Sequence, residues 1–354
     1  MYDFKQLLRA TCDYCLQVLS YPIEPAARIF ILYLASSLVF ALAIYFISGS
    51  MRRDRQTGIG LWRGVLSFLF PKSVWSHPSA WVDVRFFFPH QLLRLWLYTD
   101  VMAVFAAMTH QFVLKGARAF SGKESIYDLP ENYTWLIIGN AIFSIMLIDF
   151  FSFVMHYLQH KVPLLWEFHK VHHSSEVLHP LSNYREHPVD NFLYAVVTGG
   201  AAGIALSSFE FLFGAQPLAL LVPILGIGVF AFAFNFLGYN LRHSHVWLRW
   251  PGFLAYLFGC PAHHQIHHSC KPQHINKNMA FMFPIWDILF GTYYLPDEKE
   301  EMTFGIGDGS ESMYRSYLSI YLLPFKHAYH RLFGAAKSMD STSPSASKQP
   351  RSPA

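Results

Sequence analysis

Apolar runs close to the ~20 residues that an α-helix needs to cross a bilayer are what most constrain this chain. The clearest is Ile29–Ile47, and others run over about Leu92–Val113, Trp135–Met155, Phe192–Phe213 and Pro217–Leu237. The second of these is interrupted by Arg94 and Asp100. Only 14% of the 354 residues are charged and 53% are hydrophobic, whereas a soluble domain carries about 25% charged residues. In hydrocarbon every backbone N–H and C=O must find its partner inside the chain, and at these run lengths a helix does that. The expected fold is therefore all-α, a polytopic bundle of membrane helices. The formal charge of +4 is small and dispersed. It suits an anionic membrane surface and gives no basis for nucleic-acid binding.

The order of the runs carries information about topology. Met1–Pro25 lacks a continuous apolar stretch of the signal-peptide kind, so the first span is expected to serve as the insertion signal. Met51-Arg52-Arg53-Asp54-Arg55 follows that span, and its positive charge reads as cytosolic. The last two runs are joined so closely that they form a helical hairpin, with Gly199, Gly200 and Gly203 suited to close helix packing. One histidine group, His156–His187, precedes this hairpin and another, His243–His274, follows it. Two crossings return the chain to its starting side, so both groups face one compartment. Counting three spans from an outside N-terminus makes that compartment the cytosol. The chain then divides into an N-terminal membrane region with about two spans (1–130), a histidine-rich domain (131–300), an amphipathic segment (301–336) and a disordered tail (337–354). In Arg315–Phe333, Tyr317, Leu318, Tyr321, Leu322 and Phe325 oppose Lys326, His327 and Arg331, as in a helix lying on a membrane surface.

Fourteen of the 19 histidines lie between His156 and His274. Three spacings organise them: His156-x-x-x-His160, His169-x-x-His172-His173 and His264-x-x-His267-His268. Residues at i, i+3 and i+4 share a helix face, so each pattern aims two or three imidazoles the same way. Eight such rings exceed what one ion uses while leaving room for a substrate, and two ions are the simpler arithmetic. His187, in Tyr184-Arg185-Glu186-His187-Pro188, and His243, which emerges from the hairpin, are added to the candidate ligands. His179, His245, His263 and His274 read as hydrogen-bonding or solvated, and His77, His90, His110, His327 and His330 as structural. Ligating imidazoles usually donate their second N–H to a carboxylate or carbonyl. Asp149, Glu167, Glu176, Glu186, Asp190 and Asp287 are near enough in sequence to include such partners. Imidazole alone does not choose among zinc, copper, iron and nickel. A pair of metals beside a hydrocarbon substrate favours iron, because breaking an unactivated C–H bond needs a redox metal and O2. Four cysteines, two of them in a lone Cys12-x-x-Cys15, read as packing residues and give no disulfide framework.

The wording of these motifs resembles the fatty acid hydroxylase/sterol desaturase superfamily, in its bacterial sterol desaturase branch. The resemblance rests on His156…His160, on Trp166-Glu167-Phe168-His169-Lys170-Val171-His172-His173-Ser174-Ser175-Glu176 and on Pro261-Ala262-His263-His264-Gln265-Ile266-His267-His268-Ser269. A closing Asn278…Trp286-Asp287-Ile288-Leu289-Phe290-Gly291-Thr292-Tyr293 extends it, so that it covers about Ile137–Tyr294. The chain departs from the pattern in doubling His263-His264, where the H-x-x-H-H spacing selects His264. The resemblance implies a histidine-rich helical cap on the membrane bundle, two Fe ions, O2 as oxidant and a lipid substrate. No G-x-G-x-x-G fold or haem domain is visible in the sequence, so electrons would come from a separate redox partner such as a ferredoxin, cytochrome or reductase. Three other classes remain to be weighed: a haem-ligating electron carrier, a metal transporter and a membrane-face dizinc hydrolase. The first would put paired histidines on spans and the second ionisable residues at mid-membrane, and neither pattern is present.

Overall fold

The structure, a computed structural model, describes residues 4–128, 130, 132–214 and 228–333. Among them helices dominate and no β-strand occurs, an isolated bridge between Ser269 and Phe304 being the nearest approach to one. The fold is all-α. Helices α7 (Thr134–Lys161, 28 residues) and α9 (Pro188–Phe213, 26 residues) are long and apolar enough to cross a membrane. A third crossing is available if α2 (Ile31–Ile47) and α3 (Ser50–Gln56), bent by 54° at their junction, act together. The run Leu92–Val113 falls within α6, Pro78–Ser121, a 44-residue helix that contains Pro89. At 1.5 Å per residue it reaches ~66 Å, so it extends well beyond a ~30 Å hydrocarbon core. Most of the run Pro217–Leu237 lies outside the described residues, and the chain is helical again over 228–236.

Small residues set the closest helix contact. Gly199 and Gly203 on α9 rest against the carbonyl oxygens of Met102 and Ala106 on α6, and a Cβ at either position would collide with them. Gly200 faces no such obstacle, its nearest neighbour being Thr109 at ordinary contact distance. Spacing of i, i+4 for the two tight glycines lets the backbones approach, as small-x-x-x-small pairs do in lipid.

Prolines end one helix and begin the next around the histidines. Pro163 has no N–H to continue α7 and stands at the first position of α8 (Pro163–His173), where none is needed. This folds the His156/His160 end of α7 back against the helix that carries His169, His172 and His173. Pro188 starts α9 in the same manner, and the His187 ring accepts from Val189 N at 3.1 Å to cap it. The final helix, Tyr317–Phe333, buries Ile320, Pro324 and Ala328 and leaves Leu318, Leu322, Tyr329 and Phe333 exposed. Arg331 and His327 on that helix meet the buried carboxylate of Glu167 on α8, and Arg315 pairs with Glu176 at 2.9 Å. The tail read as disordered, 337–354, lies outside the described residues.

Candidate metal centre

The eight motif histidines gather with His243 into two groups. One comprises His156, His160, His169, His173 and His267, and the other His172, His243, His264 and His268. Within each group one nitrogen from every ring lies within 4.8 Å of all the others. Both H-x-x-H-H motifs divide in the same sense. His169 and His173 join the first group while His172 joins the second, and His264 and His268 join the second while His267 joins the first. The i+3 and i+4 positions of a helix are ~100° apart around its axis, so three rings on one face still diverge toward two points. The segments before and after α9 thus meet at one composite centre.

Which nitrogen faces inward is decided by what holds the other. His156 Nδ1 is 2.7 Å from Met279 O, His267 Nδ1 is 3.0 Å from Lys277 O, and His169 Nδ1 is 3.2 Å from Asp190 Oδ2. In the second group His172 Nδ1 is 3.3 Å from Arg185 O and His243 Nδ1 is 2.8 Å from Ser182 Oγ. With Nδ1 donating outward, Nε2 is left as a lone pair aimed at the centre. The Nε2 atoms of His160, His173 and His267 are buried and have no hydrogen-bond partner. His264 Nε2 lies 2.9 Å from His243 Nε2 and 3.1 Å from His268 Nε2. Orphaned buried acceptors cost about 1–3 kcal/mol each, and a shared cation removes that cost. Burial, reinforced by neighbouring rings, holds His169, His173, His264, His267 and His268 well below the usual imidazole range. Burial, with His172 and Arg28 nearby, does the same for His243. The rings are neutral at pH 7, the protonation state that a metal needs. The residues fit a pair of imidazole-binding ions.

Two features of the backbone supply the outward partners. Asn276 and Asn278 have φ of 59° and 54°, left-handed values that asparagine tolerates better than most residues. They flank Lys277 and precede Met279, and so turn both carbonyls toward the rings. Asp287 fixes this turn by accepting from Met279 N and Ala280 N at 2.8 and 2.9 Å, and Asp149 pins the next stretch through Met282 N, Phe283 N and Trp286 Nε1. The second support is the 3-10 turn Pro180–Tyr184, which presents Ser182 and leads to Arg185. Arg185 is 1% exposed, and its Nε donates to Asp83 at 2.5 Å. Of the six carboxylates singled out in the sequence, Asp190 alone touches one of the nine rings, and it also accepts from Gln159 Nε2 at 3.0 Å. Glu186 pairs with Arg28 at 2.8 Å, while Glu167 serves the last helix and Glu176 pairs with Arg315 just ahead of it.

His187 stands outside both groups, contrary to the sequence expectation. One ring nitrogen caps α9 and the other lies 3.1 Å from Tyr321 O. The Pro188 that follows it fixes this role, since the residue ahead of a first-position proline is the cap. His179, His245 and His274 are hydrogen-bonded to Asp83, Phe68 O and Glu300, and His263 Nδ1 accepts from Cys260 N. Ser182, Lys277 and Met279 were not legible as site residues. The Asn-Lys-Asn run was the one available hint.

Comparison with known proteins bears on this centre directly. Residues 141–292 match the family Fatty acid hydroxylase. The chain is 24% identical to alkylglycerol monooxygenase of Caenorhabditis elegans, over 65% of this chain and 43% of that one. It is 28% identical to an ornithine lipid hydroxylase of Rhizobium tropici, over 49% and 47% of the two chains. Human cholesterol 25-hydroxylase is 30% identical over 47% of this chain and 54% of its own. No solved structure matches. Over residues 141–292 the chain is similar to the fatty acid hydroxylase/sterol desaturase superfamily. Its matches span about half the length of these relatives.

Proposed function

We propose that this protein is a membrane-bound, O2-dependent di-iron oxygenase that hydroxylates, desaturates or oxidatively cleaves an alkyl lipid. One observation carries the reading: nine neutral imidazoles, no carboxylate among them, converge as groups of five and four at the end of a helix fit to cross a membrane. The relatives bear names of lipid monooxygenases and hydroxylases, in keeping with a lipid substrate. The iron pair, when bound, supplies the activation of O2 that removal of hydrogen from an unactivated carbon requires. His156, His160, His169, His173 and His267 would hold one ion and His172, His243, His264 and His268 the other. Asp190, Ser182 and the carbonyls of Lys277, Met279 and Arg185 orient these rings and keep their donor nitrogens inward. The buried setting excludes water and so protects the reaction from side processes. The site faces the cytosol in this proposal, where a separate ferredoxin, cytochrome or reductase can reach it.

The test is metal analysis with oxygen-electrode measurements on the purified chain in lipid nanodiscs, given a reductase system and long-chain lipids. Two irons per chain and lipid-stimulated oxygen use are expected. Zinc alone with no oxygen use under iron-replete conditions would hand the site to a dizinc hydrolase.

A further inference from the structure

Beside the second histidine group lies a cavity of about 200 Å³, walled by Phe230, Phe234, Leu237, Trp250, Phe258 and Arg242. It is small for a complete ligand site, which usually offers ~300–1,000 Å³, but large enough to take one end of a molecule. Arg242 is the charged group in its wall, and it is 3% exposed. The rings of Phe234, Tyr239 and Phe281 surround its guanidinium, with centroids 4.9, 5.4 and 4.9 Å from Cζ. One nitrogen, Nη2, donates to Phe281 O, while Nη1 is buried with no hydrogen-bond partner. Gly259 makes room for the group, since a Cβ there would stand 2.9 Å from Nη2.

Charge is the argument. Arginine keeps its proton in a protein, and a buried cation is stable only when paired. Among the described residues Arg242 makes no ion pair. The nearby carboxylate, Asp149, spends its oxygens on Met282 N, Phe283 N and Trp286 Nε1. A planar, desolvated guanidinium with an unused N–H face matches a carboxylate or phosphate, and the apolar wall matches an alkyl chain.

We infer that this cavity binds an amphiphile carrying an acidic group, carboxylate or phosphate, with Arg242 Nη1 as the recognition donor and the chain laid against Phe230, Phe234 and Leu237. The inference rests on the oxygenase reading only for calling that amphiphile the substrate. Because His243 follows Arg242 directly, an acid held here is anchored beside the second histidine group.

The experiment is a binding measurement on the iron-loaded full chain in phosphatidylcholine nanodiscs. A nitroxide-labelled dodecanoate quenches Trp250, with Trp250→Phe identifying that tryptophan's share, and unlabelled compounds compete. Dodecanoate and dodecyl phosphate should displace the label at least about tenfold better than dodecanol, the scale of one charge-assisted hydrogen bond. Acetate should not displace it. Arg242→Gln should abolish the preference for the acids and Arg242→Lys should retain part of it, with iron content unchanged in both. Ala233→Trp, which places a bulky ring at another lining position and leaves Arg242 in place, should remove binding of acids and alcohol alike. Equal displacement by dodecanol and dodecanoate in the wild type overturns the inference, as does an acid preference that survives Arg242→Gln or Ala233→Trp. Competition by acetate at the strength of dodecanoate would reassign the site to a free anion. None of these readouts needs turnover. Selective binding in a chain that never consumes oxygen would defeat the oxygenase reading alone, and oxygen use without selectivity would defeat this inference alone.

Discussion

The two histidine groups have similar tasks and are built differently. The group of five draws four of its rings from α7 and α8, both regular helices, with His267 the exception, and one of its rings leans on Asp190 in membrane helix α9. In the group of four, His243, His264 and His268 come from the segment after α9, and the outward partners of His243 and His172 are the Ser182 hydroxyl and the Arg185 carbonyl, in and just after one 3-10 turn. That turn is stiffened by charge instead of by helix packing. Asp83 meets both Arg185 at 2.5 Å and His179 at 2.9 Å, and Arg28 clasps Glu186 at 2.8 Å. A carboxylate behind a ligating imidazole makes it a stronger donor. The comparison teaches that the first group is rich in ligands and electron-donating, whereas the second is sparser and depends on a braced loop.

Substitution of a ring gives the largest expected effects. His172→Ala leaves the second group three rings, and we expect iron to fall from two atoms per chain to one, with oxygen use reduced to background. His267→Ala leaves four rings in the first group, so activity should be lost with more iron retained. Mass-spectrometric metal counts on both variants decide this, and equal iron loss would erase the asymmetry. Asp190→Asn comes next, with metal affinity at the first group reduced about 10–100-fold. Ser182→Ala should weaken the second group by less, because a neutral partner is removed. Chelator competition would rank them, and the reverse order would mean that the loop outweighs the carboxylate. Gly203→Leu forces α6 and α9 apart at Ala106, at a cost of about 1–3 kcal/mol. Thermal unfolding should register that cost, and since Asp190 rides on α9, iron loss should be confined to the first group.

Acidity should act evenly on both groups. Burial pushes His263 down to about 3 and His187 down to about 4, from 6.5 in an unfolded chain, and the group histidines move the same way. Below pH 6.5 the unfolded chain therefore takes up protons that the folded chain refuses. Metal-free stability should be flat above pH 7 and decline as the pH falls from about 6.5 toward 4. Melting temperatures of the metal-free protein at pH 8, 6 and 5 measure this. A rise on acidification would contradict neutral, buried rings.

The helical class and the gathering of the eight motif histidines were legible because both depend on periodicity, which a sequence displays directly. The division of each H-x-x-H-H between two groups follows from the same helical geometry, yet it shows only once the rings have neighbours to face. Backbone partners such as Lys277 O and Met279 O were hidden, since a carbonyl has no residue identity and its direction depends on φ and ψ. His187 looked like a ligand from its company in Tyr-Arg-Glu-His-Pro, and the proline beside it had already committed the ring to a helix end. Asp190 could be listed with five other acids but not chosen, because the choice is made by how α9 packs, through Gly199 and Gly203.

The division of each motif also acts as a ruler. Rings of different groups that share a helix have centroids 5.8 Å apart for His169 and His172, and 5.5 Å apart for His264 and His267. Covalent geometry within a single turn fixes those intervals, whatever the long helices do. Bilayers thicken, thin and bend, and α7 and α9 must tilt with them. A gauge cut twice into short helices keeps the two ion positions at constant separation while the scaffold beneath them breathes.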